Sequence, residues 1–145
     1  MKKQDSTIPI YPIGIAASTL GVSVETIRLY ERRGLIIAVK TEGNQRLFSK
    51  SDIKRIECIR KAINKEKISI AGINRMFSLI PCWDIVKCTE RHKRNCNAFL
   101  KHTQPCWSID HKKNPCASLD CRECEVYQLS SDCHKIKQSI ANLSR

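Results

Sequence analysis

The chain has 145 residues, with 26 Lys and Arg against 14 Asp and Glu, a formal charge of +12, and nine cysteines. That length holds one ordinary domain or two small ones that need extra support, and the charge favours a polyanionic partner, most simply nucleic acid. No apolar run reaches a spanning length and the opening MKKQDSTIPIYPIG lacks an apolar signal core, so the expectation is a soluble, cytoplasmic chain with no membrane partner, in which cysteines act as ligands or redox groups before disulfide staples.

Charge and thiols divide the chain. Residues 1–80 hold 15 basic and 7 acidic residues, and only Cys58 among the cysteines; residues 81–145 hold 11 basic and 7 acidic residues with all the other thiols. Two modules are expected, joined near Pro81.

In chain order, YPIGIAASTLGVSVETIRLYERRGL predicts two short helices about a tight joint. Ile13, Ala16, Ala17 and Leu20 recur at helical spacing, and Gly21 suits the left-handed residue that ends a helix. Ser23 follows as an N-cap, and Val24 and Ile27 share a face that packs on the first helix. This is the layout of a helix-turn-helix, whose second helix enters the major groove. Glu25, Thr26, Leu29 and Arg33 turn away from the packed face, and Arg28 and Arg32 flank it, where arginines reach phosphates or guanine edges. In LIIAVKTEGNQRLFS two apolar stretches flank TEGNQ, which predicts a β-hairpin turning at Gly43-Asn44. A hairpin in that position is a wing, and Arg46 sits just past its tip. Next, Ser51 is expected to cap a helix striped by Ile53, Ile56, Ile59, Ala62 and Ile63, with Cys58 as a small apolar filler. Ser69 is expected to cap another helix, with Ile70, Ile73, Met76, Phe77 and Ile80 facing a core.

On IGIAASTLGVSVETIRLYERRGLI, NQRLFSKSDIKRI and ISIAGINRMFSLI, residues 11–80 resemble the DNA-binding domain of the MerR family of transcription regulators. The resemblance implies a winged helix-turn-helix that contacts double-stranded DNA through Ser23, Thr26, Arg28, Tyr30 and Arg46. It further implies a homodimer that distorts a promoter for RNA polymerase, so that a signal switches transcription. Pro81 follows Ile80 at once here, and no heptad run continues into the long dimerisation helix usual in the family.

The second half repeats itself. PCWDIVKCTERHKRNCNAF and PCWSIDHKKNPCASLDCRECEVY each open on Pro-Cys-Trp and close on a cysteine shortly before an aromatic, Cys96 with Phe99 and Cys124 with Tyr127. A repeat of this kind implies two similar substructures packed together. Aliphatic residues are too sparse here for a core, so cross-links are needed, and thiolates holding a metal supply them. The candidate ligands are Cys82, Cys88, Cys96, Cys106, Cys116, Cys121 and Cys124, with Cys133 as an extra. The single Cys-x2-Cys pair suits zinc, while the longer, uneven gaps suit an iron–sulfur cluster equally. His92, His102, His111 and His134 are each available to complete a zinc site or to stay solvated, and disulfides are a third way to staple the segment. PCWDIVKC, PCWSI and CRECEVY also resemble a paired Cys-Trp module appended to bacterial signalling proteins, which implies a sensory or structural role.

The expected fold is mainly α: a winged helix-turn-helix at 11–80, a small irregular cysteine-rich, metal-supported domain at 81–133, and a short helical tail at 134–145. The expected function is a sequence-specific, non-enzymatic DNA-binding transcription regulator of the MerR type, whose cysteine module binds metal or an iron–sulfur cluster and senses redox or metal state. One alternative is an architectural or excisionase-like DNA-binding protein with a purely structural metal module. Another is a thiol redox enzyme built on Cys121 and Cys124, which would need a βαβ frame that the sequence does not show.

Overall fold

Helix α1, Ile13–Leu20, stops where Gly21 takes φ +68°, a left-handed turn that only glycine adopts without strain, and the Gly21 amide closes back on the carbonyls of Ala17 and Ser18. Helix α2, Val24–Arg32, then starts at Ser23, whose side chain accepts the Thr26 amide. Ala16 and Ala17 on α1 are buried with Ile27 and Tyr30 on α2; the two small alanines let the helices approach closely. The structure is a computed structural model that describes residues 6–101, 103–109, 111, 116, 120–133 and 136–143.

Three short strands, β1 (Tyr11–Pro12), β2 (Val39–Lys40) and β3 (Arg46–Phe48), form an antiparallel sheet in the order β1-β3-β2. Lys40 lies opposite Arg46 and Tyr11 opposite Phe48. The hairpin is the expected wing. Its turn is closed by Thr41, whose carbonyl accepts the Asn44 amide at 2.9 Å, and Asn44 itself is left-handed at φ 61°. The pairing of β1 onto the wing was not anticipated: a two-residue strand containing a proline is too short to show alternation.

Helix α3, Lys50–Asn64, is capped by Ser49 rather than Ser51. Asp52 decides this, because its carboxylate accepts the Ser49 amide at 2.8 Å while the Ser49 hydroxyl accepts the Asp52 amide at 3.1 Å, a reciprocal box. Ile56 and Ile59 are buried from α3, against Leu35, Ile36 and Phe48 from the wing region. Each such side chain contributes about 1.5–3 kcal/mol on leaving water.

Contacts divide the chain into two units, Met1–Lys67 and Ile68–Arg145. The border precedes α4, Ile70–Ser78, so this helix groups with the cysteine-bearing residues. Ser69 caps α4 as expected, accepting the Gly72 amide at 3.0 Å. Ile73, Phe77 and Ile80 are buried, but Met76, expected in the core, is 55 % exposed; it falls beside the buried stripe. The rest of the second unit is short: α5 (Cys82–Ile85), α6 (Glu90–Arg94), α7 (Asn97–Leu100), 3-10 turns at Cys106–Ser108 and Cys121–Glu123, α8 (Glu125–Leu129) and α9 (Ile136–Leu143). Helices of four or five residues do not persist alone in water, so tertiary contacts must hold them. Among the described residues, no helix is long and apolar enough to cross a membrane.

Candidate nucleic-acid interface and thiol cluster

The amino end of α2 presents Ser23 and Thr26 together, their hydroxyls 2.9 Å apart, with Ser23 exposed and Thr26 half-buried. Arg28 lies one turn on, 43 % exposed, its guanidinium 2.9 Å from Glu25. An exposed pair of this kind holds a cation in place without much net stability. Arg46 on β3 reaches back to α2: its Nε donates to both carboxylate oxygens of Glu31, at 2.9 and 2.7 Å. That hydrogen bond, with the Glu31 charge behind it, raises the Arg46 guanidinium still further above its ordinary range. The wing cation is thereby fixed to the helix that carries Thr26 and Arg28.

Tyr30 lies elsewhere. It is 4 % exposed and belongs to the core face with Ile27, one helical turn before it. Burial pushes its phenol up, opposed by the charge and hydrogen bond of Arg60. Arg60 also donates to the Leu20 carbonyl at 3.2 Å, at the end of α1. Glu31 and Arg60 were both missed from the sequence, since their partners are distant in the chain and carry no local spacing signal.

In the second unit the two Pro-Cys-Trp segments adopt matching local structure. Pro81 and Pro105 each stand immediately before a helical turn that begins on the cysteine. Trp83 packs edge-on against Phe99 with ring centres 5.0 Å apart, and Trp107 packs edge-on against Tyr127 at 5.0 Å. These are the two aromatics that close the repeats, and such T-shaped pairs add about 0.5–1.5 kcal/mol beyond burial. Trp107 also lies 5.5 Å from Phe77.

Cys82, Cys88, Cys96, Cys106, Cys116, Cys121 and Cys124 are free thiols. Equivalent positions of the repeat pair up: Cys106 is hydrogen-bonded to Cys82, and Cys116 to Cys88. The Cys82 bond lowers that thiol and raises Cys106, which is buried as well. Burial and the neighbouring Cys88 and Cys82 push Cys116 up to about 12. Burial, then Cys124 and Asp120, raises Cys121. Cys82, Cys106, Cys116, Cys121 and Cys124 line one cavity of about 20 Å³ with His111, closed by Val86, Trp107, Val126 and Tyr127. That volume admits one water-sized or ion-sized guest and no organic molecule. The donor chemistry suits a soft or borderline metal. Among the described residues, however, no three His, Cys, Asp or Glu side chains are already arranged to hold an ion; the thiols meet in pairs.

Of the histidines, His92 serves α6, its Nδ1 2.9 Å from the Thr89 hydroxyl that caps the helix. His111 is 7 % exposed, its Nε2 2.9 Å from the Cys106 carbonyl oxygen and its Nδ1 3.5 Å from Cys96 Sγ. His102 and His134 lie outside the described residues. Cys58 is half-buried on α3.

A capped helix pair, a following β-hairpin and a basic side chain fixed from hairpin to second helix define a winged helix-turn-helix. Residues 11–79 match the MerR HTH family regulatory protein model, so the chain carries a MerR-family helix-turn-helix domain there. Among curated relatives, it is 35 % identical over 71 residues to the putative heat shock protein HspR of Streptomyces coelicolor, which covers 49 % of this chain and 47 % of that protein. It is 33 % identical over 77 residues to the HTH-type transcriptional regulator GlnR of Bacillus cereus, covering 53 % and 59 %. The HTH-type transcriptional regulator ZntR homolog of Haemophilus influenzae is 40 % identical over 68 residues, covering 46 % and 50 %. The chain spans about half the length of the curated relatives it matches.

Proposed function

We propose that this protein is a sequence-specific double-stranded DNA-binding transcription regulator of the MerR type and not an enzyme. It acts as a homodimer that works with RNA polymerase at a promoter. The observation that carries this reading is the Glu31–Arg46 pair, which makes wing and recognition helix one basic surface. Ser23 and Thr26 at the helix start contact the groove edge, and Arg28 and Arg46 contact phosphates on either side of it. Tyr30 supports them from the core. A titration of the full chain against a promoter fragment and a scrambled duplex tests it. Specific affinity should exceed non-specific affinity by on the order of 10³ or more at physiological salt, and equal affinity for the two duplexes refutes the regulator reading.

The second half, in this reading, holds zinc or an iron–sulfur cluster on its thiols, and the state of that centre is the signal. The support is the gathering of seven free thiols in a segment poor in aliphatics. When bound, the metal cross-links a segment that has little core of its own. The visible spectrum and metal content of protein purified without oxygen test this: a colourless, metal-free protein with a folded second half refutes it.

A further inference from the structure

We propose that His111 is a metal ligand and completes eight donors that divide into two four-coordinate zinc centres. Cys82, Cys106, Cys121 and Cys124 form one centre; Cys88, Cys96, Cys116 and His111 form the other. This rests on the reading that the second half binds metal.

His111 carries the argument. A carbonyl oxygen only accepts, so the 2.9 Å contact of Nε2 with the Cys106 carbonyl requires the proton on Nε2. The lone pair of the neutral ring is then on Nδ1. That atom lies 3.5 Å from Cys96 Sγ, in a side chain only 7 % exposed, so it faces a thiol and not solvent. Metal-ligating imidazoles are fixed in this manner, one nitrogen tied to a backbone carbonyl and the other left to the metal. A histidine kept only for packing has no need of both polar contacts.

The remaining donors sort by neighbours. Cys82 and Cys106, equivalent in the repeat, are hydrogen-bonded to each other and share a cavity with the Cys121-x2-Cys124 pair. Cys88 and Cys116, also equivalent, are hydrogen-bonded to each other, and Cys96 lies near both. Four-coordinate sets of four Cys, or of three Cys and one His, are the usual closed structural zinc sites. A cavity of about 20 Å³ beside the first set accommodates a single ion rather than a cluster of many atoms. The thiols stand as protonated pairs. As each zinc–sulfur bond forms, an S–H bond breaks and its proton passes to solvent, which draws the pairs onto common centres.

Zinc content of the full chain by mass spectrometry, with absorption spectra after exchange to cobalt(II), tests this. The wild type should hold two zinc ions per chain. His111→Gln and Cys121→Ser should each hold one, from different centres. His111→Cys should regain two, with its cobalt bands at longer wavelength because thiolate is a weaker-field ligand than imidazole. If His111→Gln fails to fold, His111→Cys decides alone: wild-type loading with shifted bands supports the assignment, and one ion or unshifted bands overturns it. Two ions and an unchanged cobalt spectrum in His111→Gln also overturn it, as does a wild type with one ion or with iron and acid-labile sulfide. These outcomes leave metal binding itself standing. A folded wild type with no metal refutes the underlying reading instead.

Discussion

The two units solve the same problem by different means. Residues up to Lys67 bury Ile27, Leu35, Phe48, Ile56 and Ile59 essentially completely, and their helices carry side-chain caps at Ser23 and Ser49. Residues from Ile68 onward bury fewer large aliphatics, chiefly Ile73, Ile80 and Val126, and rely on helices of four or five residues, edge-on aromatic pairs and gathered thiols. The lesson is one of scale. A small segment with a sparse core stays ordered only if something other than hydrophobic burial constrains it. Both tryptophans, Trp83 and Trp107, lie in the second unit, so their spectra report on it alone.

Metal removal gives the largest expected effect. A structural zinc site contributes on the order of 10 kcal/mol to folding, so a strong chelator should abolish the near-ultraviolet dichroism of Trp83 and Trp107 while much of the helical signal survives. A tryptophan signal that persists in metal-free protein breaks the contrast, because burial alone would then suffice in both units.

A core truncation in the first unit is the mirror experiment. Phe48 is fully buried on β3, and Phe48→Ala should cost about 3–5 kcal/mol. Denaturant titration followed by far-ultraviolet dichroism should show an earlier transition for the first unit. The tryptophan transition should stay where it was; a matching shift there would mean that the two units unfold as one.

How much of this was legible in the sequence follows the same divide. In the first unit the signals are local: Gly21 and Ser23 mark a joint, and Gly43-Asn44 marks a turn, so helix pair and wing could be read directly. The cap at Ser49 was misread because Ser51 is an equally good capping residue, and only the reach of Asp52 separates them. Met76 was misplaced because a helical stripe is wide enough to admit a neighbour that packing leaves exposed. In the second unit the repeat was legible, and the Trp–Phe and Trp–Tyr pairs follow it. The role of His111 was not, since nothing in HKK distinguishes a buried ring from a solvated one. The grouping of α4 with the second unit was hidden as well: the family match runs to residue 79, whereas Phe77 packs on Trp107.

Arginine substitutions sharpen the contrast from the side of function. Arg46→Ala and Arg28→Ala should each weaken DNA binding by about 1 kcal/mol and reduce the salt slope by about one unit, since one phosphate contact is lost. Glu31→Gln should weaken binding less, because it releases Arg46 from its anchor without removing the cation. Tryptophan spectra and metal content should be unchanged in all three. Wild-type affinity for both arginine variants, with normal circular dichroism, would remove this surface from the interface.

The smallest effect concerns Tyr30 and separates the units by their alkaline limits. Its phenol is held above the ordinary value of about 10 mainly by burial, with Arg60 acting the other way. The folded state therefore binds the phenolic proton more tightly than the unfolded state does. The corresponding stability is fully present below pH 10 or so, and is lost as pH rises through the raised folded value. Tyr30→Phe removes the hydrogen bond to Arg60, which should cost about 1 kcal/mol at neutral pH, but it also removes the ionisation. Stability of wild type and variant, measured by far-ultraviolet dichroism from pH 7 to 11.5, should therefore converge at the alkaline end. A constant difference across that range would show that Tyr30 ionises as readily in the folded protein as in the unfolded chain, and that its ring is not held in the first core as tightly as 4 % exposure implies.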